Sequence, residues 1–152
     1  MRTTVQGTVR PGARRRDWIP VLAQVPLFAG VSKRHLGRIP RVATTRRFSQ
    51  LTRIVHAEGP GSTFYVILDG QVSVLRNGRR IARLGPGEAF GELALLSDAP
   101  RAATVVADTD VLAMCLSRAA FNKVLKAEPA VAVALLRTLA ERLRASERSH
   151  SH

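Results

Sequence analysis

Two side chains in one short stretch of this chain have the chemistry to hold a small ligand that carries hydroxyl groups and a phosphate. The stretch is FGELALLSDAPRAAT, residues 90–104. Glu92 can accept hydrogen bonds from hydroxyl groups, and Arg101 offers a planar fork of N–H donors that matches phosphate oxygens. The two positions lie 9 residues apart, which allows one helical turn, a reversal and the start of a strand. Both side chains can therefore converge on one ligand, and Gly91 permits close backbone approach to it.

This stretch resembles the phosphate-binding cassette of the cyclic nucleotide-binding domain family. That family includes regulatory subunits of cyclic AMP-dependent protein kinase, bacterial catabolite activator proteins and cyclic nucleotide-gated channels. The resemblance is carried by Phe-Gly-Glu-Leu-Ala-Leu-Leu at 90–96, by Pro-Arg-Ala-Ala-Thr at 100–104 and by the strand-rich segments on both sides. It extends over roughly residues 20–146 and is of the cyclic AMP receptor and kinase regulatory subunit type.

The resemblance implies a ligand and a role for each cassette residue. Arg101 would pair with the cyclic phosphate, Glu92 would accept a hydrogen bond from the ribose 2′-hydroxyl, and backbone N–H groups near Ala94 and Ala102 would complete the anion cradle. Relatives that prefer cyclic GMP often have a hydroxyl residue after the arginine. Ala102 stands there instead, which favours cyclic AMP and leaves cyclic GMP as the second candidate. The expected ligand-binding residues are Gly91, Glu92, Leu93, Ala94, Arg101, Ala102, Ala103 and Val74.

The segment after Val42 has short strand-like runs separated by turn residues, which predicts a mainly β member of the α+β class. We expect an antiparallel β-roll or jelly roll, with a helical segment before it and two helices after it. Asn77-Gly78 predicts a type I′ hairpin turn. If Val72 and Val74 point inward, then Ser73 and Leu75 point outward, and Val74 either fills the core or lines a pocket beneath the cassette. The predicted strands are 41–48, 52–57, 64–68, 71–76, 80–84, 101–107 and 111–116.

Prolines and capping residues mark the helices on either side of the predicted roll. Short helical turns are expected around the apolar, proline-broken segment 18–31, followed by a helix that Ser32 caps and that stops near Pro40. Ser117 caps a later helix, and Pro129 begins one that reaches about Ser146.

The last predicted helix has an apolar stripe at spacings of 4, 3 and 4, formed by Ala132, Leu136, Leu139 and Leu143. This stripe would pack on the roll, pack against a second copy of the chain, or act as a mobile lid. In the resembled family a C-terminal helix closes over the base of the nucleotide. The candidates for contact with the base are Leu135, Leu136 and Leu139.

The chain is strongly basic, with 24 Lys and Arg against 11 Asp and Glu and a formal net charge of +13. Such a charge attracts anions, so nucleic acid or an acidic partner remains an alternative function in which the nucleotide site is degenerate or modulatory. Residues 1–16 contain five arginines and no acidic residue, which predicts a disordered basic arm. We expect the domain itself over 17–146 and a flexible tail over 147–152.

Several classes of function are disfavoured. The chain lacks the clustered His and carboxylate ligands of a metal-dependent enzyme, and no nucleophile constellation is evident, so we expect no enzyme and no metal. Cys115 lies in an apolar run and reads as a buried strand residue. With no apolar stretch long enough to span a membrane, a cytoplasmic location is expected. Only residues 147–152 follow the last predicted helix, so we expect a regulatory sensor that acts in trans on an effector protein, with a homodimer through the C-terminal helices as one arrangement.

Overall fold

The computed structural model describes residues 18–55, 62–97 and 103–150, with side chains up to residue 148. The arm expected over 1–16, most of the turn at 58–62, and both Arg101 and Ala102 lie outside these ranges. The helices are α1 (Ile19–Ala23), α2 (Lys33–Leu36), α3 (Ile39–Val42), α4 (Arg118–Ala127) and α5 (Pro129–His150), with 3-10 turns at Pro26–Phe28 and Glu92–Leu95. The strands are β1 (Thr44–Phe48), β2 (Arg53–Val55), β3 (Thr63–Asp69), β4 (Val72–Arg76), β5 (Arg79–Leu84), β6 (Ala89–Phe90), β7 (Thr104–Ala107) and β8 (Val111–Ser117).

The strands of the described residues form two antiparallel sheets. The first sheet has the order β1-β8-β3-β6 and the second has the order β2-β7-β4-β5. Helices precede this roll and two helices follow it, so the predicted fold class is confirmed. The first and last strands, β1 and β8, are neighbours in the first sheet, where β8 lies between β1 and β3. Helix α4 follows β8 directly.

The β4–β5 hairpin confirms the turn prediction at Asn77-Gly78. Arg76 pairs with Arg79, which leaves only these two residues in the loop. Their φ angles are +53° and +77°, as a type I′ turn requires. The predicted caps are also present: the Ser32 hydroxyl accepts from the His35 N–H, and the Ser117 hydroxyl accepts from the Ala120 N–H.

Two apolar clusters among the described residues hold the fold together. The larger one lies between the first sheet and the helices, where the Phe28 ring is 5.8 Å from that of Phe64 and 6.1 Å from that of Phe121. The smaller one lies between the sheets, around Ile67 and Val72. Since the larger cluster includes side chains of α4 and α5, the C-terminal helices are part of the core of the domain.

The structure corrects two boundaries near the roll. The helix capped by Ser32 ends at Leu36, and Pro40 lies in the first turn of a new helix, α3, rather than stopping one. Proline is tolerated there because the first helical N–H groups have no partner within the helix. Strand β1 consequently begins at Thr44, not at residue 41, and β6 was not predicted at all.

Ser73 is buried, although the strand alternation predicts that it points away from the core. Its hydroxyl donates to both carboxylate oxygens of Asp108, at 2.9 and 2.7 Å. A polar side chain on the outer face of the sheet is thus covered by a neighbouring charged group that satisfies it.

The buried face of α5 differs from the predicted stripe. Val131, Leu135 and Thr138 are buried, whereas Leu136 and Leu143 are 66% and 62% exposed. Helix α5 also continues to His150, beyond the expected end at Ser146. Leu135 belongs to the main core cluster, so of the three leucines expected near the base, Leu136 is the one that is largely exposed.

Candidate functional site

The glutamate that the sequence singled out lies at the start of a short 3-10 turn, Glu92–Leu95, which we call the cassette turn. Gly91 precedes it with φ +81° and ψ +17°, a left-handed conformation that reverses the chain as it leaves β6. Ala94 and Leu95 are buried and anchor the turn on β3, while Leu93 is 63% exposed. The turn therefore has an apolar inner side and an accessible outer side that carries Glu92 and Leu93.

The Glu92 carboxylate is partly buried and has a cationic neighbour. Its Oε1 atom lies 3.7 Å from Nη1 of Arg142 on α5, and its side chain is 23% exposed against 48% for the arginine. A pocket of roughly 400 Å³ adjoins the turn, between Gln24–Pro26 on one side and Gly87–Glu92 on the other. Glu92 thus has the exposure needed to accept hydrogen bonds from a small polar ligand.

One backbone donor expected for the anion is engaged within the turn. The Ala94 N–H donates to the Gly91 carbonyl at 3.0 Å. This N–H is therefore engaged in the present conformation, because a 3-10 turn closes its own i to i+3 hydrogen bond. The expected cradle of N–H groups near Ala94 and Ala102 stays a prediction.

The remaining expected residues lie in the second sheet, immediately before one of its strands, or in the undescribed segment. Val74 lies in β4 opposite Val105 of β7, and Ala103 immediately precedes β7. Val74 is partly buried and packs against the apolar cluster between the sheets. Arg101 and Ala102 fall between the cassette turn and Ala103, outside the described residues.

Two arginines that the sequence reasoning did not single out contact the cassette turn or its end. Arg142 approaches Glu92, as described above. Nothing in the sequence around Arg142 on α5 indicates this contact. Arg118 donates from Nε to the Ala94 carbonyl at 2.8 Å and from Nη2 to the Ser97 carbonyl at 2.6 Å. Its position carried a signal, because a cation at the first residue of a helix is opposed by the helix dipole and calls for another partner.

A separate basic surface lies on the second sheet. Arg79, Arg80 and Arg83 are exposed on β5, which is an edge strand, and Ile81 between them is 51% exposed. Arg83 Nε lies 3.6 Å from Oδ2 of Asp108. Arg53 on β2 and Arg76 on β4 are also exposed, so the second sheet carries several exposed cationic side chains.

The arrangement of roll, cassette turn and C-terminal helices matches known proteins. The family model of the cyclic nucleotide-binding domain matches residues 45–128, and the chain belongs to this family. The cAMP-dependent protein kinase regulatory subunit of Hypocrea atroviridis is 34% identical over 113 residues, 74% of this chain and 24% of that protein. A cyclic nucleotide-gated potassium channel of Mesorhizobium japonicum is 35% identical over 134 residues, 88% of this chain and 37% of that protein.

Among solved structures, the N-terminal domain of a transcriptional regulator from Streptomyces coelicolor A3(2) superposes with a TM-score of 0.80 at 33% identity. The match covers 86% of this chain and 94% of that one. The two curated relatives are much longer than this chain, which spans 24% and 37% of their lengths. This chain is thus a cyclic nucleotide-binding regulatory domain of the type that longer regulators contain.

Two further observations bear on other classes of function. None of the described helices has both the length and the hydropathy to cross a membrane. Across residues 18–55, 62–97 and 103–150, no group of three or more His, Cys, Asp and Glu side chains is arranged to hold a metal ion.

Proposed function

We propose that this domain binds cyclic AMP in preference to cyclic GMP and passes the binding event to an effector protein in trans, without catalysing a reaction. The observation that carries the proposal is the partly buried carboxylate of Glu92 at the start of the cassette turn, which lies within the matched domain and in the stretch that resembles the family's phosphate-binding cassette. The kinase regulatory subunit and the potassium channel among the relatives support a regulatory role.

Each residue of the proposed site has a distinct task. Glu92 accepts the ribose 2′-hydroxyl, and Arg101 forms a bidentate, charge-assisted pair with the cyclic phosphate. Gly91 and Ala94 allow the sugar phosphate to approach the backbone, while Leu93, Val74 and Ala103 provide apolar contact. The absence of a hydroxyl at Ala102 underlies the proposed preference for cyclic AMP.

The proposed signal passes through α5. Arg142 of α5 lies beside the carboxylate that would receive the ribose, so a ligand at Glu92 changes the electrostatic environment of this helix. A ligand shifts a conformational equilibrium by its differential affinity for the two states. Movement of α5, which bears the exposed leucines Leu136 and Leu143, would then alter the surface offered to an effector or to a second copy of the chain.

Calorimetric titration tests the ligand directly. Purified protein, first shown to carry no copurified nucleotide, is titrated with cyclic AMP, cyclic GMP and 5′-AMP. The proposal expects saturable binding of cyclic AMP, weaker binding of cyclic GMP and none of 5′-AMP, whose open phosphate carries more charge. Absence of cyclic AMP binding would overturn it.

The second candidate function is binding of an anionic macromolecule to the basic surface of the second sheet. The specific observation in its favour is the edge strand β5, where Arg79, Arg80 and Arg83 are exposed together. Charged residues on an edge strand also prevent edge-to-edge aggregation, so the test must detect a partner. Retention of duplex DNA or of a polyglutamate peptide that falls steeply with added salt, and that Arg80→Glu reduces, would support this function. No retention at physiological salt would exclude it.

A further inference from the structure

Arg118, the first residue of α4, is directed back at the cassette turn. Its Nε donates to the Ala94 carbonyl at 2.8 Å, and its Nη2 donates to the Ser97 carbonyl at 2.6 Å. The guanidinium has its donors in a rigid planar fork, so one side chain can hold two acceptors in a fixed relation. Here the two acceptors are a residue inside the cassette turn and a residue just beyond it.

The backbone around Arg118 is also fixed. Its own N–H donates to the Ser62 carbonyl at 2.8 Å, and the preceding Ser117 hydroxyl caps the helix through the Ala120 N–H at 3.1 Å. The guanidinium therefore projects from a rigid base on the roll. Since the hydrogen bond to Ala94 is partly buried, it is less exposed to competition from water than a hydrogen bond of a surface arginine.

The electrostatics of the helix make this position informative. A cation at the N-terminus of a helix is disfavoured by the helix dipole. Hydrogen bonds from a charged donor to two carbonyl oxygens offset that cost. The Arg118 cation therefore occupies an unfavourable position on α4, and its hydrogen bonds hold the cassette turn in a defined position.

We propose that Arg118 is a positioning residue of the nucleotide site, which it serves by holding the cassette turn against α4 in the conformation that presents Glu92. This inference rests on the proposed function. Helix α4 then has a direct polar contact with the turn in addition to the apolar packing between them. The conformation of the turn depends on the residue at which α4 begins.

The test compares variants that differ in their donors. Arg118→Met keeps an unbranched stem and removes every donor, and Arg118→Lys retains a cation without the planar fork. Arg34→Met is the matched control, because it makes the same chemical change at an exposed position on α2. Each protein is titrated with cyclic AMP, and amide hydrogen exchange is followed by NMR in the nucleotide-free state.

The informative amides are those whose hydrogen bonds close the turn. Ala94 donates to Gly91, and Leu96 and Ser97 both donate to Leu93. In Arg118→Met we expect these amides to exchange about tenfold faster or more, while Val66 and Met114, paired across β3 and β8, keep their protection. We expect the Kd for cyclic AMP to rise at least about tenfold, a factor equivalent to ~1.4 kcal/mol.

The outcomes separate positioning from general stability and from the proposed function. A purely structural role would raise exchange in the core amides together with those of the turn, and would overturn the inference. Parent-like exchange and Kd in Arg118→Met would also overturn it while leaving the proposed function intact. If the parent fails to bind cyclic AMP, the proposed function falls, and the exchange measurement still decides whether Arg118 holds the turn. If Arg118→Met does not fold, Arg118→Lys carries the test, with an intermediate Kd and faster exchange confined to the turn as the expected result.

Discussion

Oε1 of Glu92 lies 3.7 Å from Nη1 of Arg142, although 50 residues separate them in sequence. The first belongs to the cassette turn and the second to α5, so this contact crosses from the proposed nucleotide site to the helix proposed to move. Both side chains remain partly exposed, and ion pairs of this kind contribute little to the free energy of unfolding.

The strength of this contact is measurable by a double-mutant cycle. We expect Glu92→Gln and Arg142→Met to be coupled by about 0.2–1 kcal/mol in the free energy of unfolding without nucleotide, the range of exposed ion pairs. Urea unfolding of the parent, both single variants and the double variant provides the measurement. Repetition at high salt is the control, since screening should reduce the coupling. Additive effects at low salt would show that the two charges do not interact.

Arg101 is predicted to be indispensable for the ligand and dispensable for the fold. Replacement by leucine would remove the two charge-assisted hydrogen bonds proposed between Arg101 and the phosphate, so we expect Arg101→Leu to raise the Kd for cyclic AMP by at least about a hundredfold. The thermal unfolding midpoint should stay close to that of the parent. Arg79→Leu controls for the loss of one positive charge from a chain of net charge +13. Parent-like binding by Arg101→Leu would move the phosphate site elsewhere.

Glu92 is predicted to read the ribose 2′-hydroxyl. The parent should bind 2′-deoxy cyclic AMP about tenfold or more weakly than cyclic AMP, because a polar site that loses its partner is left with an unpaired group. Glu92→Ala should bind cyclic AMP weakly and lose most of this preference. Calorimetric titration of both proteins with both ligands gives the comparison. If the preference survives in Glu92→Ala, another group contacts the hydroxyl.

The elements predicted well from the sequence are those that local chemistry determines. Asn77-Gly78 forms a loop of two residues, which is the length that a type I′ hairpin requires. Ser32 and Ser117 cap helices through their own side chains. The helical turn expected after Gly91 is present at Glu92–Leu95. By contrast, β6 spans only Ala89–Phe90 and is a strand because it pairs with Tyr65 and Val66, a relation that no local pattern contains.

The face of α5 that packs on the domain could not be read from its periodicity. The helix carries more apolar residues than its buried face can accept, so two neighbouring stripes both fit a helical repeat. The choice is made by tertiary contact near Gly30, where an added Cβ would lie 3.3 Å from Oγ1 of Thr138 and 3.6 Å from the Ala134 carbonyl. Val131, Leu135 and Thr138 are buried on this side of α5, and Leu136 is exposed.

The Cys115 thiol is predicted to be unreactive in the folded protein. Burial raises its pKa from the ordinary 9.0 to about 11, partly opposed by the charge of Arg46. Because the pKa is higher in the folded state, this group stabilises the fold below about pH 9 and that contribution is lost as the pH rises towards 11. Labelling by a maleimide near pH 8 should therefore be much slower than in urea-unfolded protein. Equal labelling rates in the two states would contradict the burial of β8 at this position.

Glu128 is predicted to fix the junction between α4 and α5. It is the single residue between the two helices, with φ −130° and ψ +78°, and Pro129 disfavours a helical conformation at this position. Its carboxylate lies 3.0 Å from Arg38 Nε and 3.4 Å from His35 Nε2, which ties the junction to the helices before the roll. We expect Glu128→Ala to lower the free energy of unfolding by about 1 kcal/mol.

Glu141→Ala is the matched control for this prediction, since Glu141 is exposed on α5 and its loss should change the free energy of unfolding by less than about 0.5 kcal/mol. Urea unfolding of both variants decides between two accounts of the junction. A larger loss in Glu128→Ala means that the contacts of the Glu128 carboxylate with Arg38 and His35 hold the junction between α4 and α5 together with Pro129. If both variants lose an equally small amount of free energy of unfolding, Pro129 alone fixes the junction. The contacts of Glu128 with the residues before the roll then contribute little to it.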